Sequence, residues 1–172
     1  MAKVTFDASM RVVALIGDDA FLSPYYTRQL IDALEEVHGE IDRFDFDGDT
    51  ASPADVLDEL RTFGLLQQHK IIIVDKADKF LAARGEGSGP SRARTLMEKY
   101  VASPCSDATL LLRAGTWNRG KIDKAIGQVG LVHRIKSLGP ADTLRWVSGR
   151  VGKEHNAEIE RGAAERLVRR VG

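Results

Sequence analysis

The chain has 172 residues, of which 43% are hydrophobic and 29% charged, a balance that suits one full domain with a real core plus a small second piece. Its 25 basic and 25 acidic side chains cancel, which argues against a protein that coats DNA with its whole surface. Any nucleic-acid contact must then be local or shared with partners.

Residues 12–16 form a continuous apolar run that ends at Gly17, the pattern of a strand buried on both faces. Ser23 and Pro24 place a hydroxyl at a helix N-cap and proline at the first helical position. The helix they open is expected to reach about Val37, with Tyr26, Leu30, Leu34 and Val37 on one stripe, and to end at Gly39. Residues 41–46 set Ile41, Phe44 and Phe46 among acids and read as a second strand. Ser52 and Pro53 repeat the start signal for a helix over about 53–63. Residues 71–74 are β-branched throughout and read as a third, buried strand. A Gly-rich loop over 85–90 leads to a helix over about 91–101, and residues 109–112 form a fourth apolar strand. Asn118 is a candidate cap for a short helix, and residues 131–138 form a fifth, weaker strand. Gly139 and Pro140 mark a boundary, beyond which the pattern is helical over 141–155 and 158–170. Strands alternating with helices predict an α/β domain over 1–138 with a five-stranded parallel sheet and flanking helices. Residues 139–172 are expected to begin a small helical domain.

Cys105 is the only cysteine, which excludes an internal disulfide and a thiolate metal cluster and fits a reducing compartment. No apolar run approaches the roughly 20 residues that span a bilayer, and Asp7 and Arg11 interrupt any signal-peptide core. A cytoplasmic protein without membrane contact is the expectation.

A strand, a glycine and a helix are where P-loop proteins hold phosphate, through G-x-x-x-x-G-K-[ST]. With Gly17 as the first glycine, Leu22 stands at the second glycine, Ser23 at the lysine and Pro24 at the hydroxyl. Pro24 removes an N–H that a phosphate would use, and Asp18 and Asp19 put like charge beside the anion. The loop of Gly17, Asp18, Asp19, Leu22, Ser23 and Pro24 therefore reads as a degenerate phosphate loop that does not bind. Residues 71–75 look like a Walker B strand, whose acid helps hold magnesium. The second acid of hydrolysing relatives is replaced by Lys76, and Asp78 follows two residues later. Asp75 and Asp78 read as helix-capping or solvated turn residues. His38, His69, His133 and His155 are scattered, and Asp42, Asp45, Asp47 and Asp49 lack the EF-hand spacing. No catalytic residue, metal site or cofactor is expected.

On the helix over 53–63, Val56, Leu57, Leu60 and Phe63 form a core-facing stripe. At about 100° per residue, Leu65 falls on the opposite face and Leu66 just beyond the stripe's edge. Two readings stand: an exposed apolar wedge for a partner's pocket, or a loop that turns both leucines under the next strand.

Taken in order, Val13 to Leu22, Phe46-Asp47-Gly48, Thr62 to Val74, Leu96 to Pro104, Thr109 to Leu112, Trp146 and Ala163 to Gly172 resemble the delta subunits of bacterial DNA polymerase III clamp loaders. The resemblance implies a degenerate P-loop/AAA+ domain that binds no ATP, followed by the start of a helical lid domain. It also implies a part in DNA replication, with Leu65 and Leu66 as the pair that enters a pocket on the sliding clamp (beta) and helps open the ring. Such subunits often carry an aromatic at the second place, where this chain has Leu66. Full-length members continue into a collar domain that assembles with other clamp-loader subunits, so the chain reads as an N-terminal fragment. The competing readings are a divergent P-loop-type NTPase and a DNA-binding module using Arg92, Arg94, Arg113, Arg119, Lys121 and Lys124, and DNA contact within an assembly stays open.

Overall fold

Runs such as Ile71-Ile72-Ile73-Val74 and Leu110-Leu111-Leu112 have no solvent face to offer, and all seven side chains are fully buried. They belong to β3 (Lys70–Asp75) and β4 (Ala108–Ala114), which with β1 (Val12–Ile16), β2 (Asp42–Asp47) and β5 (Gly130–Arg134) make one sheet in the order β2-β3-β4-β1-β5. Every pairing is parallel, and the register sets Val12 beside Leu110 and Gly130, and Ile71 beside Arg43 and Thr109. The sequence-based expectation of a five-stranded parallel sheet with flanking helices is met. The computed structural model describes residues 4–62, 68–82 and 91–171.

Because successive side chains alternate across a strand, each face of the sheet takes its own helices. Val12, Ala14, Ile16, Ile72, Val74, Leu110 and Leu112 share a core with α2 (Pro53–Arg61), α3 (Ala77–Ala82), α4 (Arg92–Ala102) and α5 (Lys121–Val129). The opposite face presents Leu15, Leu111 and Arg113 to α1 (Leu22–His38), which buries Tyr26, Leu30, Ile31 and Leu34. The edge strand β2 alternates half-buried Phe44 and Phe46 with exposed Arg43, Asp45 and Asp47, and charges on such an edge oppose further strand pairing.

Several boundaries differ from the sequence reading. α1 begins at Leu22, so Ser23 and Pro24 lie inside its first turn, because Leu22 is drawn into the core. α2 stops at Arg61, where Thr62 turns extended. The six-residue α3 has no counterpart in the sequence reading, since fewer than two helical turns carry no visible periodicity. α5 is opened by the Asp123 carboxylate, which accepts from Gly120 N at 2.7 Å, and Asn118 instead gives its carbonyl to Arg94 at 3.1 Å. β5 ends at Arg134, four residues short of expectation.

The chain divides into two compact units, a larger one of Val4–Ile135 and a smaller one that holds α6 (Pro140–His155) and α7 (Arg161–Val171). Within the smaller unit Asn156 ends α6 in the left-handed conformation, φ 46°, and α7 packs on α6 with Leu167 45% exposed. Among the described residues no helix is long and apolar enough to cross a membrane.

Candidate functional site

The carboxyl ends of β1, β3 and β4 open onto a cleft of about 840 Å³ lined by the loop after β1 and by Asp47, Asp75, Lys76 and Arg113. In parallel α/β sheets this is where ligands bind, and the free N–H groups of the following helix are what would hold an anion. Here those donors are engaged by the loop itself. Asp19 Oδ1 accepts from Phe21 N at 3.1 Å and from Leu22 N at 2.8 Å. Ser23 N donates to Asp19 O at 3.1 Å, and Pro24 has no N–H to give. A carboxylate thus sits at the positive end of α1, where a phosphate would otherwise be drawn. Gly17 has φ +149°, and a Cβ there would lie 2.5 Å from Ile135 O, so only glycine fits.

The two acids of the β3 end are not equivalent. Asp75 forms a bidentate pair with Arg113 of β4, at 2.5 Å from Nε and 2.6 Å from Nη2. This corrects the reading of Asp75 as a cap or a solvated turn residue. Arg113 also donates to Thr27 Oγ1 of α1 at 3.4 Å, so one guanidinium links three elements around the cleft. Asp78 lies in the first turn of α3, 3.5 Å from Thr116 Oγ1. Lys76, in the left-handed region at φ 49°, donates to Asp47 at 2.9 Å and Asp49 at 2.6 Å. Those bonds hold the Lys76 ammonium above its ordinary range and the Asp49 carboxylate below its own, while Asp47 is lowered first by the N–H of Asp49 and then by Lys76. Sequence reasoning missed the role of Arg113, although a lone cation closing the apolar run of β4 was the available signal.

Leu65 and Leu66 lie outside the described residues. The chain on either side is defined. Thr62 closes α2 by donating its N–H and its hydroxyl to Asp58 O, at 2.8 and 2.6 Å. Lys70, the first residue of β3, is 4% exposed and donates to Glu59 O of α2 at 2.6 Å and to Glu59 Oε1 at 2.7 Å. Its ammonium also lies 5.4 Å from the centre of the Phe44 ring.

His38 and His69 are not scattered, as the sequence suggested, but stack with ring centres 4.1 Å apart. His69 is buried, with Nε2 2.9 Å from Thr109 Oγ1. Among the described residues no group of three His, Cys, Asp or Glu side chains is placed to hold a metal ion. Of the six cations weighed as a DNA-binding group, Arg113 and Arg94 are engaged within the fold, whereas Arg92, Arg119, Lys121 and Lys124 are exposed.

No protein-family model and no curated protein matches the sequence. The fold, by contrast, has solved counterparts. The chain is similar to the Bacillus subtilis DNA clamp loader delta protein, at 20% identity and a TM-score of 0.65, over 92% of this chain and 47% of that one. It is similar to a Thermotoga maritima RuvB variant at 13% identity and a TM-score of 0.56, over 94% and 50% of the two chains. A DNA polymerase III gamma subunit-related protein from Thermotoga maritima gives 15% identity and a TM-score of 0.51, over 92% and 54%. The chain therefore spans about half the length of the structures it matches.

Proposed function

We propose that this chain is a delta-type clamp-loader subunit, a non-catalytic AAA+ scaffold that binds a sliding clamp and helps open it during DNA replication. Leu65 and Leu66 are the residues that enter the clamp's pocket. Residues 1–138 form the clamp-binding α/β domain and 139–172 the first part of the helical lid, and assembly with other clamp-loader subunits accompanies the role. The clamp-loader-like fold supports this reading.

The observation that carries the non-catalytic part is the occupied start of α1. An NTPase of this fold leaves backbone N–H groups bare for phosphate. In this chain Phe21, Leu22 and Ser23 spend theirs on Asp19, and Pro24 has none. A triphosphate would have to displace a carboxylate and then lie beside it, and the acid of β3 that would meet magnesium is already held by Arg113. These contacts favour a scaffold that acts by contact over one that turns over nucleotide.

The test is a pull-down with the cognate sliding clamp, comparing the wild type with Leu65→Ala/Leu66→Ala. The wild type is expected to be retained and the double variant lost, with both equally folded by circular dichroism. Equal retention of the two rules out the leucine pair as the anchor.

A further inference from the structure

Basic and acidic side chains balance over the whole chain but not over its parts. Residues 136–172 carry eight lysines and arginines against five acids, a cationic excess that residues 1–135 lack. Three of the six arginines there are engaged locally. Arg145 meets Asp142 at 2.7 Å, Arg161 meets Glu165 at 3.0 Å, and the Arg150 guanidinium lies 4.9 Å from the centre of the Trp146 ring. Among the described residues the other three, Arg166, Arg169 and Arg170, make no hydrogen bond or ion pair, and all are exposed. The helix turns them to one side. Ala164 is buried and Val168 half-buried, so these two mark the inward side of α7. At about 100° per residue, Arg166, Arg169 and Arg170 all fall within about 60° of the direction opposite Ala164. Gly162 lies on the same side, and Arg166 Nη1 is 3.9 Å from the point where a Cβ would stand there, so the preceding turn leaves the guanidinium room.

We infer that this face of α7 is a contact for the phosphate backbone of nucleic acid. Three like charges on one helix face, without acidic partners, repel one another and gain when a row of anions neutralises them. Arg166 and Arg170 stand about 6 Å apart along the helix axis, and a single nucleic-acid strand carries a charge about every 3.4 Å. Guanidinium groups on long stems can therefore meet two or three phosphates of one strand, and their planar forks suit phosphate oxygens in pairs. An anionic membrane calls for a broad apolar face beside the charges, and Leu167 is the one large apolar side chain that α7 exposes among the described residues. Phosphate contacts carry no sequence information, so the binding is independent of base order. The exposed cations of the larger unit, Arg92, Arg119, Lys121 and Lys124, are interleaved with Glu98 and Asp123 and make no comparable face. Leu65 and Leu66 play no part in this contact.

The experiment is fluorescence anisotropy of the whole chain with a labelled DNA duplex of mixed sequence, titrated at salt concentrations from about 50 to 200 mM. The wild type is expected to bind weakly, with an affinity that falls as salt rises along a log–log slope of about −2 to −3, the value for two or three neutralised phosphates. A duplex of different base order should bind equally. Arg166→Gln/Arg169→Gln/Arg170→Gln should keep the wild-type circular dichroism, lose about tenfold in affinity at low salt and flatten the slope toward zero. Arg166→Lys/Arg169→Lys/Arg170→Lys keeps the charge and should keep most of the slope. Wild-type affinity and slope in the folded glutamine variant overturn the inference, and so does a wild type without salt-dependent binding. Loss of binding in Arg92→Gln/Arg119→Gln/Lys121→Gln/Lys124→Gln, with the α7 glutamine variant still bound, moves the contact elsewhere and overturns it too. Displacement of the duplex by poly-glutamate or by anionic phospholipid vesicles at equal charge concentration overturns the assignment to nucleic acid. If the glutamine triple does not fold, Arg169→Gln alone decides: a slope smaller by about one supports the contact, and an unchanged slope counts against it.

Discussion

His69 offers a prediction whose size follows from its surroundings. Thr109 Oγ1 lies 3.2 Å from Met10 O and so gives its proton there, which makes it the acceptor for His69 Nε2–H at 2.9 Å. Burial is the main force against a charged ring, followed by His38 stacked on it and by Arg11, with Asp107 opposing. Together they push the His69 pKa from 6.5 down to about 4. A histidine whose folded pKa is depressed stabilises the fold fully above its unfolded pKa. The contribution is lost as pH falls from 6.5 toward 4, because the unfolded chain takes up the proton first. At ~1.4 kcal/mol per pH unit, the full loss is at most about 3 kcal/mol. Asp47 and Asp49 have pKa values lowered from 3.8, so their contribution fades only below this window. His133, lowered by burial, acts in the same direction as His69. Urea denaturation from pH 7.5 to 4.5 should therefore be run on the wild type and on His69→Phe, which cannot titrate. The variant starts less stable, having lost the Thr109 bond, but its stability should fall less steeply with acid. Parallel slopes for the two proteins would refute the reasoning.

Three further outcomes follow from the cleft. Asp19→Ala removes the carboxylate that caps α1 and should cost about 1 kcal/mol in chemical denaturation without creating ATP affinity in calorimetry, since Pro24 and Leu22 remain. Arg113→Met leaves Asp75 without its bidentate partner and should lower the melting temperature by several degrees, with the loss reduced in Arg113→Met/Asp75→Asn. Gly17→Ala forces a side chain against Ile135 O at a positive φ and should destabilise by about 2 kcal/mol or more, read as a lower urea midpoint.

The sheet was legible because β1, β3 and β4 are buried on both faces, and continuous apolar runs separated by helices have few other solutions. What escaped was local competition and long-range pairing. Ser23 and Pro24 match a helix start in isolation, yet burial of Leu22 draws the helix back and Asp19 becomes its cap. The spacing of Asp75 and Arg113, 38 residues apart, carries no signal until β3 and β4 are adjacent. The same holds for His38 and His69, which meet only because α1 ends beside the start of β3. The mismatches at Leu22, Ser23 and Pro24 could be read from a template. The physical reason the site is filled, a carboxylate on the helix's own amides, could not.

The most direct test of the account is the affinity of this chain for its cognate sliding clamp, measured with and without ATP·Mg. On the proposed reading, in which Asp19 occupies the helix amides after β1 and Leu65 and Leu66 make the partner contact, the chain should bind the clamp with the same affinity in both conditions. Absence of binding, or binding that appears only with ATP·Mg, would contradict it.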